Sequence, residues 1–387
     1  MQFSYVNPTE IHFGKGQIAS VSKHIPTRRK VLVIYGGGSI KRNGVYNQVA
    51  QALKEHSWLE FSGVEPNPTL ETMDKAVAIA KAEQVDFILA VGGGSVIDGS
   101  KYVAAAACYD GPGWDILSGS QPVDKALPIG AVLTLAATGS ESNPISVITR
   151  AETHHKKSFK SPLVRPQFAV LDPDVMKSLP EHQLINGVVD AWVHVCEQYI
   201  NTPTGAMVQD GYAEALLKTL LTLGQQFHER DTTEQSGDQW RANLMWSANQ
   251  ALNGLIGAGV PQDWATHMIG HEVTTLYGVD HGRSLAIIQP SLLRHQMADK
   301  RAKLEQMGRN VFGLDGEDAL AERTVDKIEA FYQSLGVATK LTEHTEGKER
   351  AIDDILGQLE AHSLVRLGEK QTITLDQSRE ILEMAVL

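Results

Sequence analysis

Short runs of β-branched residues alternate with helical stretches through the first 180 residues and then stop, and this change of rhythm restricts the fold more than any other feature. Lys30 to Tyr35 (KVLVIY), Phe87 to Val91, Ile129 to Leu135 and Phe168 to Leu171 read as strands. The polar-capped segment Gly44 to Glu55 and the Ala-rich Ser95 to Cys108 read as the helices between them. Alternation of this kind predicts a parallel sheet with crossover helices. Pro173 and Pro180 punctuate the chain next. Beyond them the pattern is helical throughout: Asn186 to Ile200, Gly205 to Phe227, Trp240 to Ala258, Ala286 to Val311, Glu317 to Leu335 and Ala351 to Leu359. The expected class is α/β plus all-α, with a Rossmann-like parallel-sheet domain over 1–180 and an all-helical domain over 181–387.

Composition removes several functions. A net charge of −11 opposes binding to nucleic acid or an anionic membrane, which leaves small-molecule chemistry. The first residues lack the basic and apolar regions of a secretory signal, and no apolar run reaches the length of a membrane span. With only Cys108 and Cys196 there is no disulfide framework, so a reducing cytoplasm is the expected location.

Two glycine clusters follow strands. Phe87 to Val91 runs into Gly92, Gly93, Gly94 and Ser95, and Lys30 to Tyr35 runs into Gly36, Gly37, Gly38 and Ser39. Glycines let a diphosphate approach the backbone, and the N–H groups opening the next helix attract it. The bland alternative is a pair of tight turns. No acid ends the first strand where a ribose 2′-hydroxyl is usually gripped, while Lys41 and Arg42 lie close by, which favours a 2′-phosphate unless the two cations are merely solvated. Thr134 to Asn143 concentrates hydroxyls around Gly139, suiting either a cofactor contact or a helix cap.

Asp190 and His194 lie four apart, as do His267 and His271, so each pair projects from one helical face. Both interrupt apolar stretches, where unpaired carboxylate or imidazole groups are costly. His281 follows a turn and makes a third candidate imidazole. A metal explains the placement, and so would core histidines bonded to backbone or to Asp190. Three imidazoles and a carboxylate suit Zn²⁺ or Fe²⁺ and leave the choice open. His154 and His155 fall in a charged stretch expected to face solvent.

Taken in order, these motifs resemble the iron-containing (group III) alcohol dehydrogenases, whose fold is shared with glycerol dehydrogenase and dehydroquinate synthase. The likeness also includes Phe13-Gly14-Lys15-Gly16 and Gly63 to Pro68. Gly36 to Ser39 and Gly257 to His267 look closest to the NADPH-dependent, butanol-dehydrogenase-like aldehyde reductases of enteric bacteria. The resemblance implies that Asp190, His194, His267 and His281 bind the metal and that His271 relays a proton beside the substrate. It implies that Gly93, Gly94 and Ser95 hold the diphosphate of NADP(H), and that Thr134, Thr138 and Asn143 border the nicotinamide half. Lys156 would lie near the ribose, Asn67 at the adenosine side, and Gly37, Gly38, Ser39 and Lys41 around the 2′-phosphate. It further implies a small aldehyde or alcohol substrate and a homodimer. Relatives often carry Gly-x-x-His-Ala-Met-Ala-His where this chain has Pro261 to His267, so the substrate wall is expected to differ, with Trp264 as an apolar element. Two other readings stay open: a dehydroquinate-synthase-like lyase, and a silent NADP(H)-binding protein with a structural metal.

Overall fold

The computed structural model describes residues 1–229, 235–344 and 350–386. Among the described residues the strands run in chain order as β1 (Glu10–Phe13), β2 (Lys30–Tyr35), β3 (Ser57–Phe61), β4 (Phe87–Gly92), β5 (Ile129–Leu133), β6 (Ile145–Arg150), β7 (His155–Lys160), β8 (Phe168–Leu171), β9 (Arg366–Leu367) and β10 (Ile373–Thr374). The helices before residue 180 are α1 (Val21–His24), α2 (Ser39–Arg42), α3 (Val45–Ala52), α4 (Leu70–Ala82), α5 (Gly94–Ala106) and α6 (Trp114–Ser118). Those after it are α7 (Glu181–Tyr199), α8 (Met207–Gln225), α9 (Gln235–Ala251), α10 (Ala265–Tyr277), α11 (His281–His295), α12 (Met297–Asn310), α13 (Leu320–Ser334), α14 (Ala351–Ala361) and α15 (Leu375–Val386).

Six strands form one parallel sheet in the order β1-β8-β5-β4-β2-β3. Residues 31–35 of β2 and all of β4 are buried, as expected where helices cover both faces. From β2 the chain moves to β3 on one side, and from β4 to β5 on the other. The order therefore reverses between β2 and β4, the crevice position where open α/β sheets bind ligands. Tyr35 and Val91 are register partners there, so both glycine clusters leave the sheet side by side.

The molecule divides into two compact units, and they differ in two places from a division at residue 180. Met1–Tyr5 belongs with the helical unit, and Asp231–Asn249 belongs with the sheet unit of Val6–Pro180. Inside the helical unit the Phe3 side chain lies against Gly259, a contact that apolar periodicity does not encode. The expected helix from Ala286 to Val311 is two helices, turning at Gln296. The helical half also carries one small antiparallel pair, β9 with β10. Outside the main sheet, the charged stretch expected to face solvent supplies the turn and second strand of the β6–β7 hairpin. His154 turns it with a positive φ of 51°, while half-buried His155 packs edge-on against Trp114. Among the described residues no helix is long and apolar enough to cross a membrane.

Candidate metal centre and cofactor cradle

Helix α7 is buried at nearly every position from Leu184 onward, so its polar side chains must find partners inside the protein. Asp190, His194 and Glu197 follow one another at helical spacing along one face. Helix α10 supplies His267 and His271, and His281 opens α11, which packs on both α7 and α10. The close approach is possible because Gly282 has no side chain: a Cβ there would lie 2.7 Å from the backbone oxygen of Asn186 on α7. This contact sets His281 beside Asp190.

Three imidazole nitrogens converge on one oxygen. Asp190 Oδ1 is 3.5 Å from His194 Nδ1, 3.8 Å from His267 Nε2 and 3.6 Å from His281 Nε2. These separations exceed a good hydrogen bond and lie close to the roughly 3.4 Å between two ligands about 2.1 Å from a tetrahedral ion. Asp190 Oδ1 and His267 Nε2 are buried and make no hydrogen bond, so the site carries two orphaned donor atoms that a cation would satisfy. Burial would raise the Asp190 carboxyl, but His194, His267 and His281 hold it well below the usual range. Burial would likewise lower His267, yet Glu197 and Asp190 lift it to about 9. The field at this point favours positive charge. The donor set, geometry and charge all fit one divalent metal ion.

Glu197 was not singled out from the sequence, although its place three residues after His194 put it on the same face. Its Oε2 meets His267 Nδ1, and its Oε1 accepts from the backbone N–H of Thr266 at 2.7 Å. A carboxylate on the outer nitrogen of a ligating imidazole fixes the tautomer and the ring plane. Glu197→Gln is therefore expected to weaken metal affinity by roughly 10–100-fold with the helix content unchanged, measured by chelator competition and circular dichroism. Affinity within twofold of wild type would remove Glu197 from the centre.

His271 is half-buried, its ring 5.2 Å from that of His281 and 6.1 Å from that of His267. Trp264 has a positive φ of 64°, uncommon for a bulky residue, immediately before α10. Its indole lies 5.3 Å from the ring of His267 and 6.2 Å from that of His194.

In the sheet unit the cradle is built around the start of α5. Gly93 precedes the helix, and a Cβ on Gly94 would lie 2.5 Å from Thr138 Oγ1, so the Thr138 turn seats directly against the glycine backbone. Thr134 follows β5 and its N–H donates to the carbonyl of Gly92. Ser95 Oγ accepts from the N–H of Asn67, whose Oδ1 accepts from Lys156 Nζ at 2.9 Å. Thus Gly93, Gly94, Ser95, Thr134, Thr138, Asn67 and Lys156 meet. Asn143 has a bracing place: it is buried, receives Lys101 Nζ and the Ile145 N–H, and donates to the carbonyl of Thr138. Lys101 is fully buried, also donating to Ser140 and to the Ile145 carbonyl. Burial pushes its ammonium down to about 8 against the pull of Asp98 and Glu141. Gly37, Gly38 and Ser39 lead into α2. Lys41 lies over the rings of Tyr35 and Tyr46 and 3.5 Å from Glu60, a carboxylate on β3 that the sequence pattern did not connect with this turn.

Both halves of this chemistry recur in known proteins. Residues 8–173 match the family model for iron-containing alcohol dehydrogenase, and residues 184–386 match that for the C-terminal part of the Fe-containing alcohol dehydrogenase family. The chain belongs to the iron-containing alcohol dehydrogenase family. Within the family it is 47% identical to the NADPH-dependent aldehyde reductase YqhD of Escherichia coli, over 99% of each chain. A substrate- and cofactor-free structure of that reductase superposes with a TM-score of 0.91 at 45% identity, covering 100% of both chains. The NADH-dependent butanol dehydrogenase A of Thermotoga maritima gives 0.93 at 36% identity, covering 100% of this alcohol dehydrogenase family member and 99% of the other chain.

Proposed function

We propose that the chain interconverts short-chain aldehydes and alcohols with NADP(H), using a divalent metal held by Asp190, His194, His267 and His281. It is an oxidoreductase of the alcohol dehydrogenase and aldehyde reductase kind. The observation that carries the reading is the convergence of three imidazoles on the single buried oxygen of Asp190. When bound, Zn²⁺ or Fe²⁺ supplies Lewis acidity toward a carbonyl oxygen and NADPH supplies hydride. The protein's own side chains do the rest. Asp190 holds the charge balance, Glu197 orients His267, and half-buried His271 relays a proton to the substrate oxygen. Trp264 offers an apolar face to a short aliphatic chain. The open end of α5 with Gly93, Gly94 and Ser95 receives the diphosphate, Thr134 and Thr138 border the nicotinamide half, and Asn67 and Lys156 hold the sugar side. Asn143 supports that turn from below.

Preference for NADP(H) rests on the turn after β2. A Cβ at Gly37 would meet nothing within 4 Å, which leaves room beside Gly38, Ser39 and Lys41 for a 2′-phosphate. Gly37→Asp places a carboxylate where that phosphate would sit. It is expected to lower kcat/KM for NADPH by at least about 10-fold, roughly 1.4 kcal/mol, while sparing NADH. Unchanged discrimination would move the phosphate elsewhere. The presence of only two cysteines supports a cytoplasmic location, and the family likeness supports a homodimer.

The deciding assay follows absorbance at 340 nm with NADPH or NADH and butanal, before and after chelation and after Zn²⁺ or Fe²⁺ add-back. NADPH consumption that follows the metal is the expected result. No oxidation of either cofactor, with chelation only unfolding the chain, would favour the silent binder. Turnover of a phosphorylated, carboxylated substrate without net oxidation would favour the lyase.

A further inference from the structure

The sheet unit holds a second convergence of metal-ligating side chains. Glu10 and His12 are two apart on β1, so both project from the same face of the edge strand. His24 closes the short helix α1. Its ring lies over Phe168, the register partner of Glu10 on β8, with centroids 5.0 Å apart. The imidazoles of His12 and His24 are 4.1 Å apart, centroid to centroid.

Donor atoms from all three residues lie within 4.8 Å of one another. His12 Nε2 is 3.4 Å from Glu10 Oε1, and His24 Nδ1 is 3.6 Å from Glu10 Oε2. Both separations resemble those around Asp190, between 3.5 and 3.8 Å. They also exceed the usual nitrogen-to-oxygen hydrogen bond of about 2.7–3.2 Å, so neither contact is a well-made charge-assisted bond. His12 Nε2 is itself buried and has no hydrogen-bond partner. The two imidazoles are sunk at 19% side-chain exposure, and the Glu10 carboxylate stands at the mouth at 62%. An arrangement that buries nitrogen donors and leaves an oxygen donor facing solvent gives an ion a way in.

We propose that Glu10, His12 and His24 form a second metal site, distinct in residues and in access to solvent from the centre at Asp190. Two imidazoles and one carboxylate suit Zn²⁺, Ni²⁺ or Cu²⁺ rather than Mg²⁺ or Ca²⁺, and water completes the coordination. The ion joins β1 to α1. That matters mechanically because β1 is four residues long and, among the described residues, pairs only with β8. A ligand that ties two of its residues to a helix holds the sheet edge closed.

The test uses the untagged full chain, stripped of metal and dialysed against Zn²⁺, with bound zinc counted by elemental analysis. Two ions per chain are expected for wild type. The His12→Asn/His24→Asn variant is expected to bind one, at the Asp190 centre, and Asp190→Asn/His267→Asn to bind one, at the edge site. Because the two variants act on different sites, failure of the edge site is separable from failure of the catalytic reading. Hydrogen exchange supplies a second readout: Zn²⁺ should slow exchange of residues 10–13 in the Asp190→Asn/His267→Asn variant and leave them unchanged in the chain lacking both histidines. A single zinc per wild-type chain, or two zincs in the chain lacking His12 and His24, overturns the proposal.

Discussion

Asp190→Asn is expected to empty the metal centre and abolish most turnover while the chain stays folded. The substitution keeps the shape of the side chain and removes the one negative charge on which three imidazoles converge. Removing one partner from a buried charged cluster costs about 3–5 kcal/mol, which translates to a loss of roughly 10²–10⁴ in metal affinity. Elemental analysis should find little metal after dialysis. The rate of butanal-dependent NADPH oxidation should fall in proportion, and circular dichroism should match wild type. Metal-free but fully active protein would refute the catalytic role. If metal loss unfolded the chain, the ion would be structural instead.

The second large effect is predicted for Lys300→Met, away from the ligands. Lys300 is buried, and its ammonium lies 2.6 Å from Asp263 Oδ2 and 3.2 Å from Glu369 Oε2. Asp263 in turn accepts the N–H of Ala265 at the start of α10 and donates its own N–H to the carbonyl of Glu197. Glu369 accepts from both the N–H and the hydroxyl of Thr202. Methionine would leave two buried carboxylates facing each other with no cation, at a cost of about 3–5 kcal/mol. The urea midpoint should fall accordingly, and metal affinity should weaken because Asp263 anchors the helix that carries His267. Lys300→Arg, keeping the charge, should recover much of the midpoint. A Lys300→Met midpoint indistinguishable from wild type would show that these carboxylates relax into solvent.

Much of the functional architecture was legible along the chain because it is local. The glycine runs after Tyr35 and Val91 follow strands that are apolar at nearly every position, and that context alone marks them as sheet-end turns. The spacings from Asp190 to His194 and from His267 to His271 are one helical turn, so periodicity presented each pair on a face. Other features depended on contacts between distant segments. Glu60 reaches Lys41 only through the register of β3 against β2, and Lys156 reaches Asn67 only through a hairpin whose charged strand carries little alternating pattern. Asn143, expected to border the nicotinamide half, accepts from buried Lys101 on α5, a contact across 42 positions that no local pattern encodes.

Strand order separates the two kinds of information most clearly. The composition of β2 and β4 specifies that each is a buried strand, because a run apolar at successive positions can satisfy both faces only inside a covered sheet. Nothing local says that the two are neighbours, or that the chain reverses direction across the sheet between them. Likewise, helical spacing presents the donor side chains in pairs, but the meeting of Asp190 with His281 depends on α11 lying against α7 at Gly282. Side-chain periodicity is set by backbone geometry within a few residues. Register, helix crossing and the partners of buried charges are set by packing between elements, which brings together groups that the chain separates by 91 positions in the case of Asp190 and His281.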